Sequence, residues 1–228
     1  MRAPEVVGRV ERRILLDHAV DPEVAARHLP PGFTPRLLDG RAVVGVCLIR
    51  LVELRPAGLP ATVGRTVEAA AHRISVVAAD GAPGVFVPRR DTTSWAAVLA
   101  GGRVWPGVHG RARIEVARTT TALDVGVRCR DGAAVAVTID RDPRRGTALA
   151  DPDAACALHA DERTAWSPRR GRALEAAVMT CAPWSARPVG VTAARSSWLA
   201  DPAAFPPGAA RLAGALLMED VAVRWTAR

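Results

Sequence analysis

Lysine is absent: all 31 Lys+Arg positions are arginine, set against 23 acidic residues for a net charge of +8. A phosphate-binding loop of the G-x-x-x-x-G-K-[ST] type is therefore excluded. Tyrosine is also absent and aromatics make up only 4%. The arginines are scattered, with no run of five or six. Nucleic-acid surfaces cluster their charge and interleave stacking rings, so no nucleic-acid partner is expected. The arginine-for-lysine bias fits a GC-rich coding sequence, although the positive balance still favours anionic ligands. No apolar run approaches the ~18–20 residues that span a bilayer, so no membrane partner is expected. Residues 1–20 alternate charges with short apolar pairs and lack a signal-peptide core, which points to a cytoplasmic protein. Cys47, Cys129, Cys156 and Cys181 are far apart and have apolar neighbours. They read as reduced, mostly buried thiols, not a disulfide framework or a zinc site. The sequence has no G-x-G-x-x-G after a strand, no G-x-S-x-G and no H-E-x-x-H.

What is present is a core-forming composition, 49% hydrophobic over 228 residues. One domain is expected. Val6 to Leu16 reads as an opening strand. Asp21-Pro22-Glu23 then starts a short helix, with Asp as cap and Pro in the first turn. Thr34–Leu38 and Ala42–Leu54 flank the hairpin turn Asp39-Gly40. Strand character returns over Thr66–Val77 and over Val85–Val87, which ends at Pro88. Ser94–Leu99 reads as a short helix. Gly110–Val116 pairs with Ala122–Arg128, and Ala134–Ile139 follows the turn Asp131-Gly132. Ala154–His159 reads as one helical turn. Ala173–Thr180, Val189–Arg195 and Leu212–Arg224 complete about ten strands. This pattern predicts an α+β, strand-rich fold with a curved antiparallel β-barrel-like core and a few short helices.

Three polar features stand out against the apolar background. Pro88-Arg89-Arg90-Asp91-Thr92-Thr93-Ser94 brings two guanidinium forks, a carboxylate and three hydroxyls to a strand-to-helix junction. There Arg89 and Arg90, with Asp91, Thr92 and Ser94, can bind a carboxylate or phosphate. The alternative is structural: Asp91 or Thr92 caps the helix and an arginine pairs with the acid. Glu68 and His72 lie four apart on one strand face, about 13 Å from each other, while Arg73 points the opposite way. His109 follows the loop Trp105-Pro106-Gly107-Val108 and opens a strand. On that strand Ala112, Ile114 and Val116 form the apolar side, and His109 shares the other with Arg111, Arg113 and Glu115. If that side lines a polar hollow, His109 is a candidate acid–base group; if it faces solvent, the set is an ordinary charged surface. A metal site joining His72, His109 and a carboxylate has no short ligand spacing behind it.

Several stretches, taken in order, are similar to the acetoacetate decarboxylase-like superfamily, in an uncharacterised bacterial branch. They are Asp21-Pro22 through Leu29-Pro30-Pro31-Gly32-Phe33, Asp39-Gly40-Arg41-Ala42-Val43-Val44-Gly45, and Glu68-Ala69-Ala70-Ala71-His72-Arg73. Pro88-Arg89-Arg90-Asp91-Thr92, Gly102-Arg103-Val104-Trp105-Pro106-Gly107-Val108-His109, Asp201-Pro202 through Phe205-Pro206-Pro207-Gly208, and Leu216-Leu217-Met218 complete the set. The resemblance implies a single domain around a funnel-shaped cavity, in a homo-oligomer. In that superfamily a lysine of lowered pKa forms a Schiff base with a β-keto acid. With no lysine here that route is closed, and arginine cannot replace the amine. His109 falls near the position of the missing lysine, and Glu68 matches a cavity carboxylate. The resulting expectation is a lyase- or isomerase-type enzyme that needs no cofactor. It would act on a small anionic or carbonyl metabolite through His109, Glu68 and His72, with Arg89, Arg90, Asp91, Thr92 and Ser94 binding the substrate. The alternative is a non-catalytic protein that binds an acidic metabolite in the same cavity.

Overall fold

The computed structural model describes residues 3–169, 174–181 and 183–228. In chain order the elements are β1 (Val6–Val20), α1 (Pro22–Ala26), β2 (Phe33–Pro35), β3 (Leu37–Leu38), β4 (Arg41–Pro56), β5 (Arg65–Ala78), β6 (Pro83–Thr92) and α2 (Trp95–Ala100). They continue with β7 (His109–Arg118), β8 (Ala122–Cys129), β9 (Ala134–Asp140), α3 (Pro152–Asp161), β10 (Thr164–Pro168), β11 (Leu174–Cys181), β12 (Ala186–Ser196) and β13 (Ala210–Ala227). The strand-rich α+β class expected from the sequence is what the chain adopts. No helix among the described residues is long and apolar enough to cross a membrane.

Local chemistry explains the element ends. Asp21 caps α1 by accepting from the Glu23 amide, and Pro22 occupies the first turn. Asp39 and Gly40 both have positive φ, 49° and 72°, as a two-residue type I′ hairpin turn requires. Several boundaries differ from the sequence reading. The stretch 34–38 divides into β2 and β3, and α3 has ten residues, not one turn. The strand read from Ala173 begins, among the described residues, at Leu174; Ala173 itself lies outside them. Most consequential is β6, which does not stop at Pro88. The pairings His72–Arg89 and Ile74–Phe86 enclose a register shift. Pro88 therefore sits in a bulge, where no ladder N–H is demanded of it, and the strand continues to Thr92.

All thirteen strands join one sheet, antiparallel except where β6 meets β7 and β10. Two extra pairings, β5–β6 and β11–β13, close the sheet on itself twice. One ring runs β13-β1-β4-β5-β6-β10-β11. A larger ring runs β13-β1-β4-β5-β6-β7-β8-β9-β12. The two share the wall β13-β1-β4-β5-β6. This replaces the single funnel expected from the resemblance.

The main apolar core fills the larger ring: Ile14, Leu16, Val46, Leu48 and Ala70 from the shared wall meet Ala112, Leu123, Val125, Val137 and Val191. Alternation sends the neighbours of these wall residues into the smaller ring, whose lining is mixed. Leu15, Cys47 and Leu216 pack there, beside Arg13, Asp17, Arg73 and Arg90. The wall is tight. A side-chain carbon at Gly45 would overlap the Leu16 carbonyl oxygen and crowd the Asp17 Cα, both fixed backbone. Gly45→Ala is expected to lower unfolding stability by about 1–3 kcal/mol, read as the urea midpoint. A midpoint equal to the parent's would show that β1 and β4 can separate.

Candidate functional site

The register decides which polar residues meet. Across the wall, Cys47 pairs with Ala71, Ala71 with Arg90, and Arg90 with His109. Laterally paired residues point to the same side of a sheet, so Arg90 and His109 lie side by side. His72 pairs with Arg89, and Ala70 with Asp91; these, with Glu68, point the opposite way. The eight residues singled out in the sequence thus divide between two sides of one wall. His72 and His109 cannot share a metal ion.

On the larger-ring side the polar groups are matched to one another. Glu68 is buried and accepts from Arg12 at 2.6 Å and from Arg50 at 3.1 Å. Arg89 grips Asp91 at 2.6 and 3.0 Å and Asp131 at 2.7 and 3.0 Å. These bonds raise its pKa. Thr92 pairs with Ala69 and so takes Arg90's side, its hydroxyl donating to the Glu68 carbonyl, and Ser94, not Asp91 or Thr92, caps α2 by accepting from the Ala97 amide. His72 is buried, lies edge-on to Trp198 with ring centroids 5.1 Å apart, and is held neutral. Burial first, and then the nearby Arg89 charge, lower its pKa to about 4. His72, Arg89, Asp131, Ser197, Trp198 and Asp201 line a cleft of about 400 Å³ at this end. Its arginine, Arg89, already has two carboxylates.

Arg90 differs. Its Nε and Nη2 both donate to the Ser167 hydroxyl, at 3.1 and 2.9 Å, and it has no carboxylate partner among the described residues. Burial without a counter-ion lowers its pKa to about 10. Gly107, at φ +85°, brings its backbone against this guanidinium: a Cβ there would lie 2.9 Å from Arg90 Nε. Only a glycine permits so close an approach of backbone to guanidinium. His109 sits next to it. Its Nδ1 is 3.0 Å from the Gly107 carbonyl, an acceptor only, so Nδ1 carries the proton and Nε2 keeps a free lone pair. Burial and then Arg90 lower the imidazole's pKa to about 4, despite that hydrogen bond.

Further polar residues that the sequence gave no reason to group also face the smaller ring. Arg13 donates from Nε to the Cys47 sulfur at 3.3 Å and from Nη1 to the Met179 sulfur at 3.8 Å, and lies over the Trp184 ring at 5.8 Å. At another level Asp17, Arg73, His159 and Glu162 form a buried network. His159 sits between Asp17 at 2.7 Å and Glu162 at 2.9 Å, while Arg73 reaches Asp17 at 3.0 Å and Glu162 at 3.3 Å. The two carboxylates flank the ring nitrogens, and Arg73 Nη2 lies 2.9 and 3.1 Å from the same two atoms. Although burial and Arg73 oppose it, Asp17 and Glu162 raise the His159 pKa. His159, Glu162, Met179, Cys181 and Trp184 line a second cleft, of about 250 Å³. The one sequence signal for this network was a lone aspartate, Asp17, inside the apolar run Ile14–Val20.

The model of the DUF2071 family, described as an uncharacterized conserved protein, matches residues 9–217. No protein with curated annotation matches the chain. Among solved structures the chain is similar to an acetoacetate decarboxylase from Legionella pneumophila, with 13% identity, 98% of this chain and 84% of that one covered, and a TM-score of 0.63. It is similar to the enduracididine biosynthesis enzyme MppR complexed with pyruvate, with 16% identity, coverage of 100% and 88%, and a TM-score of 0.61. An acetoacetate decarboxylase-like enzyme from Sphingomonas wittichii RW1 aligns with 12% identity, coverage of 100% and 91%, and a TM-score of 0.60. These likenesses establish the acetoacetate decarboxylase-like fold.

Proposed function

We propose, given that the chain belongs to the DUF2071 family, that it is an enzyme acting on a small carbonyl- or carboxylate-containing metabolite in the smaller ring, with no Schiff base. One observation carries the reading: a neutral imidazole with a free Nε2, His109, stands beside an arginine without a carboxylate partner, Arg90. A guanidinium in that condition binds a carboxylate or a developing enolate strongly, because it has no internal competitor. An imidazole that stays neutral at pH 7 can take a proton from the carbon next to a carbonyl. The resulting imidazolium can return it after rearrangement, loss of water or loss of carbon dioxide. Enolisation, dehydration, cyclisation and decarboxylation share this enolate step. Arg89 and Asp91 brace the strand behind Arg90, and Thr92 and Ser94 fix its turn into α2. Glu68 and His72, which the sequence offered as partners of His109, belong in this reading to the opposite side of the wall.

The relatives' names, acetoacetate decarboxylase and a pyruvate complex, supply the probes. Proton NMR in D2O should show deuterium entering the pyruvate methyl or the acetoacetate methylene in the presence of the protein. His109→Ala should slow that exchange about 10²–10⁴-fold without lowering the thermal midpoint. Undiminished exchange in this variant would remove His109 from the chemistry. A thermal shift by pyruvate with neither exchange nor decarboxylation would favour the second reading, an acidic-metabolite binder, which rests on the same Arg90.

A further inference from the structure

We infer that the smaller ring binds a dicarboxylate, one carboxylate on Arg90 and the other on Arg13, an inference that rests on the reading of Arg90 as the anion anchor. Alternation and register place Arg13 and Arg90 on one side of the wall: Arg90 pairs through Ala71 with Cys47, and Arg13, two residues from Cys47's partner Leu15, reaches across to the Cys47 sulfur at 3.3 Å. Ala71 and Cys47, the side chains along that diagonal, are short. Strand spacing and side-chain reach leave a gap suited to a diacid of roughly three to five carbons.

Charge matching gives the stronger argument. The acids facing this ring are already paired. Asp17 and Glu162 are matched by Arg73 and His159. Glu175 accepts from the Gly107 amide at 3.1 Å and lies 3.3 Å from Arg169. Of the arginines facing this ring that are not fully exposed, Arg13 and Arg90 remain; Arg163, at the cleft mouth, is exposed. Arg13 donates only to two thioether or thiol sulfurs and lies over an indole, all weak acceptors for a guanidinium. Its Nη2, like Nη1 of Arg90, has no acceptor among the described residues. A partly buried cation without a counter-ion is costly. A monocarboxylate would neutralise one of the two and leave the other, whereas a diacid neutralises both. The Met179 and Trp184 that flank Arg13 also line the 250 Å³ cleft, which gives its guanidinium an open side.

The test is calorimetric titration of the full chain at fixed ionic strength with malonate, succinate and glutarate, each beside its monomethyl ester, and with pyruvate. At least one diacid should bind about tenfold or more tighter than its own ester, the ester removing one charge at nearly constant shape. Arg13→Met should erase that ratio while leaving pyruvate affinity within about twofold; Arg90→Met should weaken both. Esters that bind as tightly as their diacids in the parent protein would overturn the inference and leave the Arg90 reading standing. Pyruvate, diacids and esters all failing to bind would overturn both. Should Arg13→Met not fold, the diacid-to-ester ratio of the parent protein decides alone.

Discussion

Replacing Arg73 by methionine should cost about 3–5 kcal/mol of unfolding free energy, the largest single-residue loss expected in this protein. Arg73 is 3% exposed and bridges Asp17 and Glu162, which are buried as deeply. The network holds two negative and two positive charges once His159 is protonated. Removing Arg73 leaves an excess negative charge on two carboxylates buried in the smaller ring. Urea unfolding near pH 6.5 measures the loss. The double variant Arg73→Met with Asp17→Asn restores the charge count and should recover part of it, because the two sites are in contact and not additive. A single-variant loss below about 1 kcal/mol would mean that the ring admits solvent to these carboxylates.

Stability should peak in mildly acidic solution and fall on both sides, for different reasons. His159 has a raised folded-state pKa. Its contribution is fully present below the unfolded value near 6.5 and is lost as pH rises through the folded value. His72 and His109 are depressed to about 4, and His18 is lowered by burial. Unfolding lets these imidazoles take up protons between about 4 and 6.5, so stability declines as pH falls through that window. For His72 the displacement corresponds to about 3 kcal/mol. Asp17 and Glu162, with pKa values below their ordinary range although burial alone would raise them, add to the acid-side loss as they protonate. Unfolding free energy measured from pH 4 to 9 should therefore form a dome. His72→Phe should flatten the acid limb and leave the alkaline one, while His159→Gln should remove the alkaline limb. A monotonic rise of stability to pH 9 in the parent protein would contradict the protonated state of His159.

Local features of the fold were legible in the sequence and the closures were not. Asp39-Gly40 and Asp21-Pro22 carry their conformations in their own chemistry, and each sits where its residues demand. Apolar alternation located most of the strands. Pro88 misled because a proline reads locally as the end of a strand, whereas here a bulge accommodates it. The closing pairing β11–β13, like the pairing β6–β10, joins strands distant in the chain and has no short-range signature. As a result the eight candidate residues could be named but not sorted by side. Arg89 and Arg90, adjacent and chemically identical, have opposite circumstances: one clamped by Asp91 and Asp131, the other bonded to a serine hydroxyl. Arg13 gave no signal, because its environment of Cys47, Met179 and Trp184 is assembled from three separate stretches of the chain.

The shared wall also bears on how such a protein can diverge. Each wall strand presents alternate residues to an oily interior on one hand and to a charged interior on the other. Polar positions of β1 such as Arg13 and Asp17 can therefore be rewritten while Ile14 and Leu16 continue to anchor the chain in the larger ring. The residues facing the smaller ring can thus vary in charge without disturbing the apolar interior that holds the wall together.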